Sequence, residues 1–199
     1  MKLREIVKLS SIMLNIEDVL NSTKLYDESF DVLDEDTTLT GDTNIDKTFN
    51  LLIRCFNLVY SEIATDYLHL INKEKIEVKD GQFELKNLNK NFYKLVKLED
   101  KNFNSVNCEI YNDILYSLDG EYSLVYCYKP SFVTLNSEID DFNGKITDRV
   151  LAYGLNKEYC YILGLYEDAE SYKTKFEESL KSLNVIKKNI VLKNKRRWI

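Results

Sequence analysis

At Lys73 the spacing of apolar residues in this 199-residue chain changes from three-or-four to two. A segment patterned for a helix does not settle as a strand, nor the reverse, so this change constrains the fold more than any other feature. Ahead of it, Phe49, Leu52, Ile53, Phe56, Val59, Tyr60, Ile63, Tyr67 and Leu70 form one helical stripe. The stripe predicts a long helix over residues 45–71, capped by Asp42 or Thr43, as the central helix of a bundle. Behind the change, residues 75–78 and 82–85 flank Asp80-Gly81, a dipeptide suited to a type I′ hairpin turn. Residues 93–98 and 106–111 are further strand candidates; residues 114–117, Asp119-Gly120 and 122–128 form the strongest. In the last, Tyr122, Leu124, Tyr126 and Tyr128 share a face, and Pro130 ends the strand.

The helical period returns over residues 145–183, with a break at Gly164. In the first of these two helices Ile146, Val150, Tyr153, Gly154, Tyr161 and Ile162 fall on the expected inner face. In the second, Ala169, Tyr172, Phe176, Leu180 and Leu183 do so more cleanly, opposite a charged face with acids early and bases late. Gly154, inside a helix where it costs about 1 kcal/mol against Ala, suggests close approach of a second helix. At the other end, residues 3–13 read as a short amphipathic helix with Leu3, Ile6, Val7, Ile12 and Met13 inward, and residues 15–20 as a second. The expected fold is therefore α+β: a helical bundle (long central helix plus C-terminal helix pair) with an inserted antiparallel β segment. Residues 1–72 and 136–183 would form the helical body, residues 73–135 the insert and residues 184–199 a basic C-terminal tail.

Acids outnumber bases 33 to 27, a net charge of -6, which weighs against binding nucleic acid through a broadly basic surface. The charge is unevenly placed. Residues 27–46 carry eight acids and no Lys or Arg, without the spacing of a calcium-binding EF-hand loop, and read as an exposed loop. Residues 184–199 carry Lys187, Lys188, Lys193, Lys195, Arg196 and Arg197 and no acid. Cys55, Cys108, Cys127 and Cys160 lie far apart in apolar runs, as buried reduced thiols do, so neither a metal site nor a cofactor is expected. His69, the only histidine, has no recognisable partner for nucleophilic chemistry. Phosphate-binding, dinucleotide, zinc-protease and serine-hydrolase motifs are absent, and no catalytic residue is assigned. The first residues alternate apolar and charged, so neither a leader peptide nor a membrane span is expected there, and the thiols suit a reducing compartment.

Three stretches carry a resemblance: YSLVYCYKPSFVTLNSEID at 122–140, RVLAYGLNKEYCYILGLYEDAESYKTKFEESL at 149–180 and KNKRRW at 193–198. With the order helices, β insert, helix–break–helix, they resemble the head–tail connector proteins of tailed phages, also called adaptor, head-completion or tail-tubular proteins. The resemblance implies a structural virion protein in the neck between capsid and tail. It would form a ring of identical subunits, about twelve, beneath the portal protein, each offering unlike surfaces to its two neighbours. DNA would pass through the lumen without sequence recognition. Lys193, Lys195, Arg196, Arg197, Trp198 and Ile199 would contact the portal, with tail or neck proteins as the other partners. The alternatives are another neck or tail-completion protein such as a tail terminator, a cytoplasmic nucleic-acid-binding or regulatory module using the basic tail, and an enzyme with an unrecognised site.

Overall fold

A computed structural model of the chain describes residues 2–27, 30, 44–140, 142 and 144–195, with the side chains of the last helix described as far as residue 183. The elements in order are helices α1 (Leu3–Leu14), α2 (Glu17–Leu20) and α3 (Asn44–Glu62), strands β1 (Leu70–Val78), β2 (Gln82–Glu84), β3 (Phe92–Glu99), β4 (Ser105–Val106), β5 (Glu109–Tyr111), β6 (Ile114–Tyr116) and β7 (Gly120–Tyr128), and helices α4 (Asp148–Ile162) and α5 (Tyr166–Lys195). Every strand pairing is antiparallel, so the fold is α+β. The chain divides into two compact units: Met1–Tyr60 with Phe132–Ile199, and Ser61–Ser131.

In the first unit α4 lies against α1 and α5. It also approaches α3 at Gly154, where an added Cβ would meet Phe176 Cε2 of α5 at 2.9 Å and Val59 Cγ1 of α3 closer still. Only a residue without a side chain lets both neighbours come this near, which accounts for the helical glycine. A helix packed on several sides has no single apolar stripe. Its buried residues are Leu151, Ala152, Gly154, Leu155, Asn156, Lys157, Tyr159 and Cys160, while the expected inner residue Ile162 is exposed. Leu3, Ile6 and Val7 of α1 are buried as expected, but Ile12 points outward. Asn15 ends α1 in the left-handed conformation, its N–H on the Ile12 carbonyl and that of Ile16 on the Ser11 carbonyl.

The long helix is shorter than its stripe. After Glu62 the backbone widens into a π turn over Ile63–Tyr67, closed by Leu68 N–H on the Ile63 carbonyl at 2.8 Å. Thr65 turns its hydroxyl back to the Ser61 carbonyl at 3.0 Å. Residues 70 and 71, expected in the helix, belong instead to β1, which pairs with β7 over nine consecutive residues from Leu70↔Tyr128 to Val78↔Gly120. That ladder outweighs one further helical turn. The capping residues Asp42 and Thr43 and most of the acidic segment lie outside the described residues.

The second unit holds two sheets, ordered β1-β7-β3-β4 and β2-β6-β5. Their shared core is Ile76, Val78, Leu85, Leu98, Leu115, Leu124 and Tyr126, with Tyr122 and Tyr128 packed at its edge, so the aromatic face of β7 turns inward as its alternation predicts. Asp80 (φ 53°) and Gly81 (φ 75°) make the expected I′ turn. Lys79 and Gln82 exchange both backbone hydrogen bonds across it, at 3.2 and 3.0 Å. The arms then part: β1 joins β7 and β2 joins β6. The turn dictates a reversal of direction, whereas burying residues from both arms in one core requires two sheets. A second tight turn, at Asn112-Asp113 (φ 49° and 60°), pairs Tyr111 with Ile114. The strand expected over residues 106–111 is split between β4 and β5, in different sheets.

Candidate functional site

The portal-contact segment expected from the sequence begins on α5. The α5 backbone is a single helix to Lys195, so residues 184–195, read from the sequence as part of the basic C-terminal tail, continue the backbone of α5. The side chains of Lys193 and Lys195 lie outside the described residues, as do Arg196, Arg197, Trp198 and Ile199 altogether. α5 is held to its unit by Ala169, Phe176 and Leu180, all buried, along the face that the sequence predicts.

The corner between α4 and α5 is built differently. Gly164 (φ 75°) ends α4 with its N–H on the Tyr161 carbonyl at 3.1 Å and the Leu165 N–H on the Cys160 carbonyl at 2.9 Å. This Schellman closure satisfies the last α4 carbonyls and turns the chain in very few residues. It leaves Ile162, Leu163, Leu165 and Tyr166 54, 50, 47 and 67% exposed. Isolated apolar residues on a surface need no explanation, but an unbroken apolar run at a helix corner does. Carboxylates border it: Glu167 and Asp168 in the first turn of α5, and Glu170 just after it, are exposed. Glu170 accepts a hydrogen bond from the Tyr161 hydroxyl and an ion pair from Lys173 at 3.2 Å, and these two, in that order, hold its carboxyl below the usual range. Sequence reasoning missed this corner because it sorted residues by helix face, which put Ile162 on the inner face of the first helix and left Leu163, Leu165 and Tyr166 on none. The signal was present as the apolar run itself, residues 161–166, straddling the predicted break.

Two other places carry groups capable of chemistry: the thiols and a charged groove. Burial, then Glu158 and Cys160, push the Cys55 thiol up to about 12, and burial raises Cys108, Cys127 and Cys160 as well. The upward shifts favour the protonated thiol near neutral pH, the less nucleophilic form. In the second unit a groove on the four-stranded sheet is lined by Lys73, Lys75, Lys101, Phe103, Glu77 and Glu121, with lysines and carboxylates intermixed. Above it Glu99 of β3 bridges Lys73 at 2.7 Å and Lys97 at 2.5 Å, which lowers its carboxyl pKa. His69 sets Nδ1 3.1 Å from the Ala64 carbonyl, with its ring 6.3 Å from that of Tyr93.

Among the described residues, no group of three or more His, Cys, Asp and Glu is placed to hold a metal ion, and no helix is long and apolar enough to cross a membrane. No family model and no curated protein matches the sequence.

Proposed function

We propose that this protein is a structural subunit of a phage neck: a head–tail connector that forms a ring beneath the portal and joins capsid to tail, with DNA passing through the lumen. The helical unit, a bundle built on α3 and the α4–α5 pair, is the body of the ring, and the basic C-terminal segment is its contact with the portal. The observation that carries the reading is the single helix α5. It continues from Leu180, its last buried residue among those described, to Lys195, a further 15 residues or roughly 22 Å at 1.5 Å per residue. A helix of that length presents the basic end away from the residues that anchor α5, which suits a segment that docks on another molecule. The exposed corner at Gly164 supplies a second contact surface, as a ring subunit with unlike neighbours on its two sides requires.

The test is to purify particles from cells carrying the gene and probe them for this chain, as full length and as a form lacking residues 193–199. The full chain is expected in the particle neck, and mostly monomeric when purified alone at micromolar concentration. The truncated chain is expected to melt at nearly the same temperature and to be lost from particles. A chain expressed at normal levels and absent from particles would overturn the reading. A chain located at the far end of the tail tube would make it a tail-completion protein instead.

A further inference from the structure

The apolar corner at Gly164 has a complement in the chain's own sequence. The corner offers Ile162, Leu163, Leu165 and Tyr166 beside Glu167, Asp168 and Glu170. Residues 196–199 are Arg196-Arg197-Trp198-Ile199, two guanidinium groups followed by two apolar side chains. Arg and Trp are the residue types most enriched where binding energy concentrates, because they join large buried area to charge or hydrogen bonding. The two segments cannot meet within one molecule. The corner lies at the first turn of α5, and α5 runs 30 residues away from it, roughly 45 Å. The four residues after Lys195 span at most about 14 Å when fully extended. The partner that fits the corner is therefore the end of a second copy.

We propose that the α4–α5 corner is the receptor for the C-terminal residues 196–199 of a neighbouring copy of this chain. Trp198 and Ile199 cover the exposed apolar run, and Arg196 and Arg197 pair with the bordering carboxylates. Arg196, Arg197, Trp198 and Ile199 thereby go to the neighbouring copy and not to the portal, and the portal contact proposed above narrows to the lysines of residues 184–195. Because donor and receptor are different surfaces, each copy can give one end and take another, a head-to-tail relation that generates a ring when its rotation closes. Its use in a phage ring rests on the function proposed above; the contact itself does not.

A fluorescein-labelled peptide of residues 189–199, titrated with the full chain, tests this by anisotropy. Saturable binding that weakens with added salt is expected. The double variant Leu163→Ser/Tyr166→Ser should weaken it about tenfold or more, as loss of a central apolar contact does. These side chains are exposed, so the variant's melting temperature should stay near that of the parent, which shows that folding is not the cause. A peptide with Arg196→Glu and Arg197→Glu should bind the parent poorly and regain binding to a Glu167→Arg/Asp168→Arg chain. An anisotropy that stays flat up to about 1 mM protein, or binding indifferent to the corner substitutions, would overturn the proposal. A flat titration with normal incorporation into particles would remove this contact and leave the connector reading standing. Saturable binding with no trace of the chain in particles would do the reverse.

Discussion

Gly154 lets the Phe176 ring of α5 approach α4 more closely than a residue with a side chain would: a Cβ on Gly154 would stand 2.9 Å from that ring. Two opposing effects meet at this position. Ala is favoured over Gly in a helix by about 1 kcal/mol, whereas forcing a methyl group into a filled core costs about 1–3 kcal/mol. Val59 of α3 would stand closer still to the same Cβ, so side chains on two helices would have to give way. Gly154→Ala is therefore expected to lower stability in chemical denaturation. A gain in stability would show that α3 and α5 yield at this point.

Phe56 on α3 and Phe176 on α5 are both fully buried in the first unit. Truncating either to Ala should cost about 3–5 kcal/mol, the transfer of the ring to water plus the cavity left behind. A loss under about 1 kcal/mol for both in urea unfolding would mean that neither site is packed as described.

Arg4 acts as a hub of the first unit. Its guanidinium donates to the carbonyls of Lys24, Leu25 and Phe30 at 2.8 Å each and to Asn136 Oδ1 at 2.5 Å. Four acceptors in fixed directions suit a planar fork and do not suit an ammonium on a flexible stem. Arg4→Lys is expected to destabilise by about 1–3 kcal/mol, since partly buried carbonyls lose their donors. Equal stability of the Lys variant would show that charge alone, and not the fork, matters here.

Acid should weaken the second unit through Glu99. Lys73 and Lys97 lower its folded pKa below the usual 4.5. The unfolded chain then binds the proton first as pH falls, so the stabilisation is present above about 4.5 and is lost as pH drops through the folded value. Glu99→Gln should flatten that part of the pH profile of unfolding. An unchanged acid limb would assign it to other carboxylates, such as Asp100, which the Asn104 side chain and backbone hold low.

Cys55 works at the alkaline end with the opposite sign. Its folded pKa stands at about 12 against an ordinary 9.0. The unfolded state loses its proton first as pH rises past 9, so stability declines from there upward. At pH 8 the native protein is expected to leave Cys55 unreacted with iodoacetamide, with all four thiols reacting in denaturant. Cys108, only half-buried, should react first. Rapid modification of Cys55 in the native state would contradict its burial.

The sequence by itself determined the class of each segment. Period 3.6 marked α1, α3 and α5, period 2 marked β1 and β7, Asp80-Gly81 marked a turn, and Gly164 marked the break between the last helices. These are local properties: a repeat of side chains along one segment, or a dihedral angle that few residues adopt. The tertiary structure decided what required two distant segments at once. It moved residues 70 and 71 from helix to strand because β7 offered them a ladder, and it sent the two arms of the Asp80-Gly81 turn to different sheets. It packed α4 on several sides, which erased the stripe that would have shown its inner face, and left Ile162 exposed at a corner. Backbone pairing and close packing are settled by partners far away in sequence, and a repeat read along one segment carries no record of which partner it will meet.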